Sequence, residues 1–303
     1  MSSRRAGLGT AGYMNQRSDA REIYTWVLDK YVVPQFGARP ISEIDTGDIA
    51  AWLRGLEAEG KKSALVAKVK TVASALFQGA AEDKSVPGVT INPVRGIKLK
   101  RQAKVRRKAF TQEQNERFRA ELGDHWCLVL DLITDTGVRW EEAHGLQKSD
   151  LEGNALWVGN VLNELNKPHH CEYLPRTKTG KGRQVLVRES MAERIRERPD
   201  GFTLLRPGRQ HAGKCGEYCT DEAHIRVDYF RKNIWHPALE AVGLAGSGLV
   251  PHDLRRTHAT WPRDNGVLLE VVQQRLGHGS LTTTQVYLGE IRSAEQTALA
   301  AVN

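Results

Sequence analysis

The chain has 303 residues, of which 40% are hydrophobic and 26% are charged, and its formal net charge is +8 at pH 7. This length suits about two domains, and the sequence has no apolar run long enough to span a membrane, so we expect a soluble globular protein. The excess of basic residues favours a polyanionic partner.

Secretion is not indicated by either the cysteines or the first residues. Four cysteines are too few and too unevenly spaced for a disulfide scaffold. The opening segment, MSSRRAGLGTAGYM, carries two arginines but lacks an apolar core of signal-peptide length. We therefore expect free thiols and a cytoplasmic protein without a membrane partner.

The first elements in chain order are helices. After a flexible N-terminus over residues 1–14, helical spacing of apolar residues recurs three times, ending before Pro34, Gly60 and Pro87. This pattern predicts a small all-helical domain over residues 15–94. The apolar positions are Ile23, Trp26, Val27 and Tyr31, then Ile49, Trp52, Leu53 and Leu56, then Leu65, Val69, Val72 and Leu76.

Two segments are basic and contain no acidic residue, which suits a surface that binds successive phosphates of a nucleic-acid backbone. The first, RGIKLKRQAKVRRK over residues 95–108, has eight Lys or Arg and is the predicted interdomain linker. The second, RTKTGKGRQVLVR, covers residues 176–188. The alternative is that these segments are a solvent-exposed linker and a solvent-exposed hairpin that bind no ligand. The candidate DNA contacts are Arg101, Lys104, Arg106, Arg107, Lys108, Arg176, Lys181 and Arg183.

A second domain is predicted over residues 109–290, with a C-terminal tail over 291–303. Thr111 and Gln114 have the spacing of a capping box at a helix start. The apolar helix WCLVLDLITDT is then stopped by Gly137, and the β-prone segments ALWVGNVL and RQVLVR precede further helices. We expect a mainly helical domain with a small sheet.

Two segments carry arginines beside helix starts. In TGVRWEE, Arg139 follows the helix-ending glycine, and Glu142 three residues later can hold its guanidinium. In PHDLRRTHAT, Pro251 suits the first turn of a helix, which puts His252 and Arg255 on one face beside backbone N–H groups that favour an anion.

A third segment, RLGHGSLTTTQVYLGE, brings a histidine and a tyrosine to one edge. Gly277 is predicted to end the helix VLLEVVQQRL, with His278 on the turn and Tyr287 on the next helix. Taken singly, these motifs also fit a surface ion pair and a core tyrosine. Their joint occurrence is what points to a site.

Together the motifs resemble the tyrosine recombinase family, which includes the phage integrases. The family pattern T-G-x-R-x-x-E is matched by TGVRWEE, H-x-L-R by HDLR, and L-G-H by LGH, with a tyrosine at the family spacing. The family's hairpin lysine is matched in RTKTGKGRQV, where Lys178 is preferred to Lys181. YVVPQFGARPISEID also resembles the core-DNA-binding domain of these enzymes, so the likeness covers about residues 15 to 290.

The resemblance implies a fold and its domains. The expected fold is mainly α, with a helical core-DNA-binding domain and a mixed α+β catalytic domain that contains a small antiparallel sheet. Fewer than about twenty residues precede the first helix, so the chain resembles an integrase without an arm-binding domain. Direction control by arm sites is therefore in doubt.

The resemblance also implies six catalytic residues and no cofactor. Arg139 and Arg255 would clamp the non-bridging phosphate oxygens, Tyr287 would attack phosphorus, and Glu142 would support Arg139. His252 would handle the tyrosine proton, His278 would donate a hydrogen bond to the phosphate, and Lys178 would protonate the leaving 5′-hydroxyl.

The implied partners are double-stranded DNA attachment sites and further copies of the chain. The family acts as a homotetramer that exchanges strands through a Holliday junction, and a monomer stays open for the free protein. The C-terminal tail would contact a neighbouring protomer. Whether a directionality factor assists is left open.

Several alternatives remain open at this point. His211, Cys215, Cys219 and His224 have spacings that a zinc ion can use, although a plain surface insertion over residues 206–226 is favoured. A type IB topoisomerase would use a similar site, and a DNA-binding protein with an inactive site is another interpretation. Asp150, Asp221 and Asp228 are too scattered for a metal-dependent nuclease.

Overall fold

The structure is a computed structural model of the chain, and it describes residues 18–83, 85–100, 108–165, 171–175, 177, 180, 182–207, 218–219 and 223–277. Two compact units form, Met1–Lys104 and Val105–Asn303. The boundary between them falls within the basic segment 95–108. No helix among the described residues has the length and apolar content needed to cross a bilayer.

The first unit is helical, as its periodicity predicted. Helix α1 passes through a π-helical turn directly into α2, whose second residue is Pro34, and both π-turns and prolines interrupt the regular i→i−4 hydrogen bonds without necessarily ending a helix. The helix therefore continues through Pro34 rather than ending before it. The helices of this unit are α1 Ser18–Val27, the π-turn Leu28–Val32, α2 Val33–Phe36, α3 Thr46–Ala58 and α4 Ser63–Glu82.

One apolar cluster holds this unit together. Helix α3 starts at a capping box, in which the Asp45 carboxylate accepts from Asp48 N at 2.8 Å. The inward faces of the helices share a core that includes Val27, Ile49 and Phe77, each 1% exposed or less. Burial of this stripe is what orders helices of such modest length.

The second unit is also mainly helical. Its first helix begins at the predicted capping box: Thr111 Oγ1 accepts from Gln114 N at 3.1 Å, and the Gln114 amide accepts from Thr111 N at 3.1 Å. The helices are α5 Gln112–Ala120, α6 Asp124–Thr136, α7 Trp140–Gly145, α8 Glu189–Arg196, α9 Val227–Phe230, the π-turn Arg231–Trp235, α10 His236–Ala241, α11 His252–Asp264 and α12 Leu269–Leu276.

Two small antiparallel sheets complete the second unit. Strands β1 Leu151–Glu152, β2 Ala155–Val158 and β5 Arg183–Leu186 form the first, and β3 Val161–Glu164, β4 Cys171–Leu174 and β6 Tyr218–Cys219 form the second. The segment ALWVGNVL therefore supplies strands to both sheets. The predicted fold class, mainly helical with a small antiparallel sheet, is confirmed.

Helix α6 occupies the centre of the second unit. Its apolar residues are buried almost all round the helix, and they join the main core with Phe118, Trp235 and Leu254. A helix that is apolar on every side must be surrounded by other elements. Helices α7 and α11 both pack on α6, so the residues after its C-terminus lie next to the start of α11.

Gly137 ends α6 in a position that only glycine suits. Its φ is +68°, in the left-handed region, and its N–H donates to Ile133 O. A Cβ at this position would overlap Cδ2 of His258 and would lie 2.9 Å from Cδ2 of Leu276. Both the backbone angle and the neighbouring side chains therefore exclude a larger residue.

Gly137→Ala is expected to destabilise the chain more than Gly153→Ala does. Both glycines have positive φ, +68° and +59°, but no atom lies within 4 Å of a Cβ at Gly153. The control should cost about 1 kcal/mol for left-handed alanine, and Gly137→Ala about 1 to 3 kcal/mol more for overpacking. Urea unfolding of both variants measures the difference. Equal losses of stability would contradict the crowding argument.

Candidate active site

A buried carboxylate lies at the centre of the candidate site. Glu142 is in the first turn of α7, and its side chain is 1% exposed. Its Oε1 accepts from Nη1 of Arg139 at 2.6 Å, and its Oε2 accepts from the Arg139 backbone N at 3.0 Å. Arg139 is the N-cap residue of α7, as predicted, and it keeps 20% of its side chain exposed.

Two further arginines face the same carboxylate. Nη2 of Arg183 donates to Glu142 Oε2 at 2.8 Å, and Nη1 of Arg255 lies 3.9 Å from that oxygen. Three guanidinium groups from α7, β5 and α11 therefore share one carboxylate. The structure brings Arg255 next to Arg139 and Glu142, which lie in a distant part of the sequence.

Arg183 and Arg139 keep Glu142 ionised. Burial by itself would raise the pKa of this carboxyl, but the hydrogen bond from Arg183 and the charges of Arg183 and Arg139 outweigh it and lower the pKa to about 2. The carboxylate is therefore charged at any pH at which the chain would work. As a charge-assisted acceptor it fixes the direction of the Arg139 and Arg183 guanidinium groups, whereas Arg255 donates to backbone carbonyl oxygens.

Arg255 also closes the ends of two helices. It is fully buried, and its Nη1 donates to the carbonyl of Gly137, which follows α6. Its Nη2 donates to the carbonyl of Leu276, the last residue of α12, at 2.6 Å. The cation therefore satisfies carbonyl groups at two helix C-termini, where the helix dipole also favours positive charge.

His252 and Arg255 differ in environment although they are three residues apart. Helix α11 begins at His252, with Pro251 as its N-cap residue, as the sequence indicated. His252 is exposed, whereas Arg255 is in the interior. Asp253, between them, was not singled out in the sequence, and its carboxylate accepts from Val250 N at 2.9 Å, so the helix start already holds an anionic group.

His258 and Arg275 support the site from the side of α12. Nδ1 of His258 lies 2.8 Å from Thr134 O, and Nε of Arg275 donates to His258 Nε2 at 3.4 Å. Arg275 Nη2 also donates to Asp135 O at 2.7 Å. Neither residue was predicted from the sequence, although His258 lies in the PHDLRRTHAT segment and Arg275 lies two residues before Gly277.

Several predicted residues fall outside the described part of the chain. Of the candidate DNA contacts, Lys108 is described and exposed, and Arg183 is described and almost buried, 10% exposed, in the pairing with Glu142. The position of Arg183 differs from the predicted DNA contact, because its guanidinium is directed inward, to Glu142. Outside the described residues lie Arg101, Lys104, Arg106, Arg107, Arg176, Lys178, Lys181, His278 and Tyr287.

Of the four candidate zinc ligands, His224 is the one whose side chain the structure describes. His224 is 5% exposed, and its ring centroid is 4.9 Å from that of Phe202. His211 and Cys215 lie outside the described residues, and of Cys219 only the backbone, in β6, is described. Within the residues that can be followed, no group of three or more His, Cys, Asp or Glu is arranged for a metal ion.

Family models match both units of the chain. A model described as "Phage integrase family" matches residues 108–292, and one described as "Phage integrase central domain" matches residues 12–96. The first alone covers more than half of the chain.

Individual proteins show the same likeness. The tyrosine recombinase XerD of Mycobacterium tuberculosis is 34% identical over 166 residues, which are 52% of this chain and 46% of that protein. Tyrosine recombinase XerC of Rhodospirillum centenum is 27% identical over 291 residues, 93% of this chain and 78% of that protein. The chain thus spans about half the length of the XerD relative that it matches.

Solved structures share the fold. The Tn1549 transposon integrase in complex with transposon right end DNA superposes with a TM-score of 0.77 at 16% identity, covering 99% of this chain and 100% of that one. A lambda integrase dimer bound to a COC′ core site has a TM-score of 0.66 at 20% identity, covering 93% of this chain and 92% of that one. At such identities the likeness concerns the fold.

His258 makes the stability of the chain sensitive to acid. Burial, and then the charge of Arg275, lower its pKa from 6.5 to about 4. Below pH 6.5 the unfolded chain takes up a proton that the folded chain does not, so stability present above pH 6.5 is lost as the pH falls through 4. Where this histidine is protonated in the unfolded chain and neutral in the folded chain, it changes the free energy of unfolding by about 1.4 kcal/mol per pH unit.

His258→Gln is therefore expected to reduce the slope of the unfolding free energy against pH between 6.5 and 4. His144 contributes in the same direction, because burial lowers its pKa to about 4, so part of the slope remains in the variant. The measurement is urea unfolding at a series of pH values. His236→Gln, which replaces an exposed histidine, is the control and should keep the full slope. A slope unchanged by His258→Gln would refute the assignment.

Proposed function

The chain belongs to the phage integrase family, and from this premise we propose that it is a site-specific DNA recombinase. It cleaves and rejoins DNA strands through a 3′-phosphotyrosine intermediate and a Holliday junction. The outcome is integration of phage or mobile-element DNA into a bacterial chromosome. The partners are double-stranded attachment sites and three further copies of the chain, in the cytoplasm of the host.

The cluster of Arg139, Arg183 and Arg255 around Glu142 is the observation that carries the proposal. A phosphodiester resists nucleophiles because it is anionic, and its transition state gathers more charge on the non-bridging oxygens. Rigid guanidinium groups stabilise that charge as metal ions do in many nucleases. Arg139, one-fifth exposed and fixed by a buried carboxylate, suits this role.

The covalent step belongs to Tyr287 in this proposal. Its oxygen attacks phosphorus, and the 5′ oxygen leaves with a proton from Lys178, so that one phosphodiester bond is replaced by another. His252 takes part in moving the tyrosine proton, and His278 donates to the phosphate. The bond energy is kept in the phosphotyrosine link, so rejoining to a new strand needs no ATP.

The proposed phosphate contact of Arg255 requires a rearrangement. This guanidinium is fully buried and donates to Gly137 O and Leu276 O. Contact with DNA requires that it become accessible, whereas Arg139 is already partly exposed. We therefore assign Arg139 the first contact with the phosphate and Arg255 a contact that forms as the site assembles on DNA.

Covalent capture of DNA is the direct test of the function. Wild-type protein is mixed with a pool of random-sequence duplexes carrying a nick, in EDTA, and adducts that survive denaturation are recovered and sequenced. A nick lets the short cleaved strand diffuse away, which traps the intermediate. We expect adducts enriched in one sequence from the wild type and none from Tyr287→Phe.

The same assay separates the alternatives. Adducts that depend on added divalent metal would indicate a different chemistry. Adducts without sequence enrichment, together with relaxation of supercoils and no joining of different duplexes, would indicate a topoisomerase. DNA binding by both proteins with no adduct from either would contradict the recombinase proposal.

The basic segment over residues 95–108 is proposed to contact phosphates. Replacing Arg106, Arg107 and Lys108 with Ala should weaken DNA binding at every sequence and reduce the slope of log affinity against log salt by about 0.9 for each phosphate that is no longer neutralised. Fluorescence anisotropy at several salt concentrations measures the slope. Arg196→Ala, which removes an exposed cation paired with Glu189, is the control and should leave it unchanged. An unaltered slope in the triple variant would exclude the contact.

A further inference from the structure

Arg183 lies at the first position of β5, and its guanidinium joins two other elements. Nη2 donates to Glu142 Oε2 on α7 at 2.8 Å, and Nε donates to the carbonyl of Arg275 in the last turn of α12 at 2.7 Å. We infer that Arg183 is a positioning residue that sets the geometry of Arg139 and of the C-terminal end of α12. The inference rests on the proposed function for what that geometry does.

The contact with Glu142 acts on Arg139. Oε1 accepts from the Arg139 guanidinium, and Oε2 accepts from the Arg183 guanidinium and from the Arg139 backbone N, so both oxygens are held. Without Arg183, fewer hydrogen-bond donors would offset the unfavourable energy of burying this carboxylate. The carboxylate could then rotate or take up a proton, and Arg139 would lose its fixed direction.

The contact with Arg275 acts on the end of α12. The last carbonyl groups of a helix have no partner within it. Here the Arg275 carbonyl accepts from Arg183, and the Leu276 carbonyl accepts from Arg255. Two cations therefore hold the end of the helix, two residues before His278.

Gly277 fits this arrangement for two reasons. Its φ of +63° ends α12 in the left-handed region. A Cβ there would lie 2.9 Å from Nη1 and 3.1 Å from Cδ of Arg183. The glycine in the L-G-H motif thus makes room for the Arg183 side chain as well as turning the chain.

The contacts of Arg183 matter because they lie close in sequence to proposed catalytic residues. β5 begins five residues after Lys178, and α12 ends two residues before His278. Arg183 is thus linked to the backbone near two proposed catalytic residues and to the carboxylate beside a third. The proposed function assigns the phosphate contacts to Arg139, Arg255 and His278, and Arg183 is 10% exposed, so we place its effect on geometry rather than on DNA binding.

Lysine cannot replace this arginine, although it keeps the charge. Nε and Nη2 of one planar guanidinium reach two acceptors on different elements, whereas an ammonium is a single point on a flexible stem. The Arg183→Lys variant therefore separates charge from geometry. Arg188→Lys is the matched control, because Arg188 follows the same strand, pairs with Asp135 and is 69% exposed.

The experiment measures adduct formation and DNA affinity for Arg183→Lys, Arg188→Lys and wild type on a nicked duplex recovered from the capture assay. We expect Arg183→Lys to slow adduct formation at saturating DNA by about 10-fold or more while affinity changes less than about 2-fold. Arg188→Lys should match wild type in both. A loss of affinity without a loss of rate would overturn the inference and indicate a DNA contact.

A pH profile adds a readout on the protonation of Glu142, with far-UV circular dichroism at each pH to verify that the variant stays folded. In Arg183→Gln, Glu142 still faces Arg139 and Arg255 but has one donor and one positive charge fewer around it, so its protonation moves to higher pH. The rate of the variant relative to wild type should therefore fall further as the pH is lowered from 8 to 5. A constant ratio over that range would contradict the role assigned to Glu142 and Arg183.

Amide hydrogen exchange tests the inference independently of the reaction. We expect faster exchange in the last turn of α12 in Arg183→Lys than in Arg188→Lys, while the core helix α6 is unchanged. If wild type forms no adduct but this difference appears, the proposed function fails and the structural role of Arg183 stands. Equal exchange and equal rates in the two variants would overturn the inference.

Discussion

One buried negative charge organises the second unit. The Glu142 carboxylate is removed from water, and an isolated carboxylate there would be very unfavourable, so its position requires cationic partners. Arg139, Arg183 and Arg255 supply them from α7, β5 and α11. The pairing therefore fixes three elements relative to one another, which an apolar core alone would leave freer to shift.

The same arginines complete the ends of helices. Gly137 O after α6, and Arg275 O and Leu276 O at the end of α12, each accept from a guanidinium of the cluster. Helix ends need partners for their last carbonyl groups, and here they obtain them from cations that the site also requires. Stability and the geometry of the site thus depend on the same hydrogen bonds.

Sequence patterns predicted the local features of this site well. The capping box at Thr111, the glycine end of α6, Arg139 at the start of α7 and Arg255 in the first turn of α11 all follow from rules that span a few residues. The inward direction of Arg183 did not follow, since its acceptors are 41 and 92 residues away. A basic residue in a basic segment has the same local signal whether it faces DNA or a buried carboxylate.

The charge balance of the cluster gives a physical reason for its composition. Three guanidinium groups face one carboxylate, which leaves two positive charges in excess. Under the proposed function, a phosphodiester brings one negative charge, and its transition state gathers more on the same oxygens. The cluster is then closest to neutral when the transition state is bound, rather than when the substrate is. Preorganised charge of this kind stabilises the transition state selectively, and a second carboxylate in place of a neutral neighbouring residue would halve the excess on which that selectivity depends.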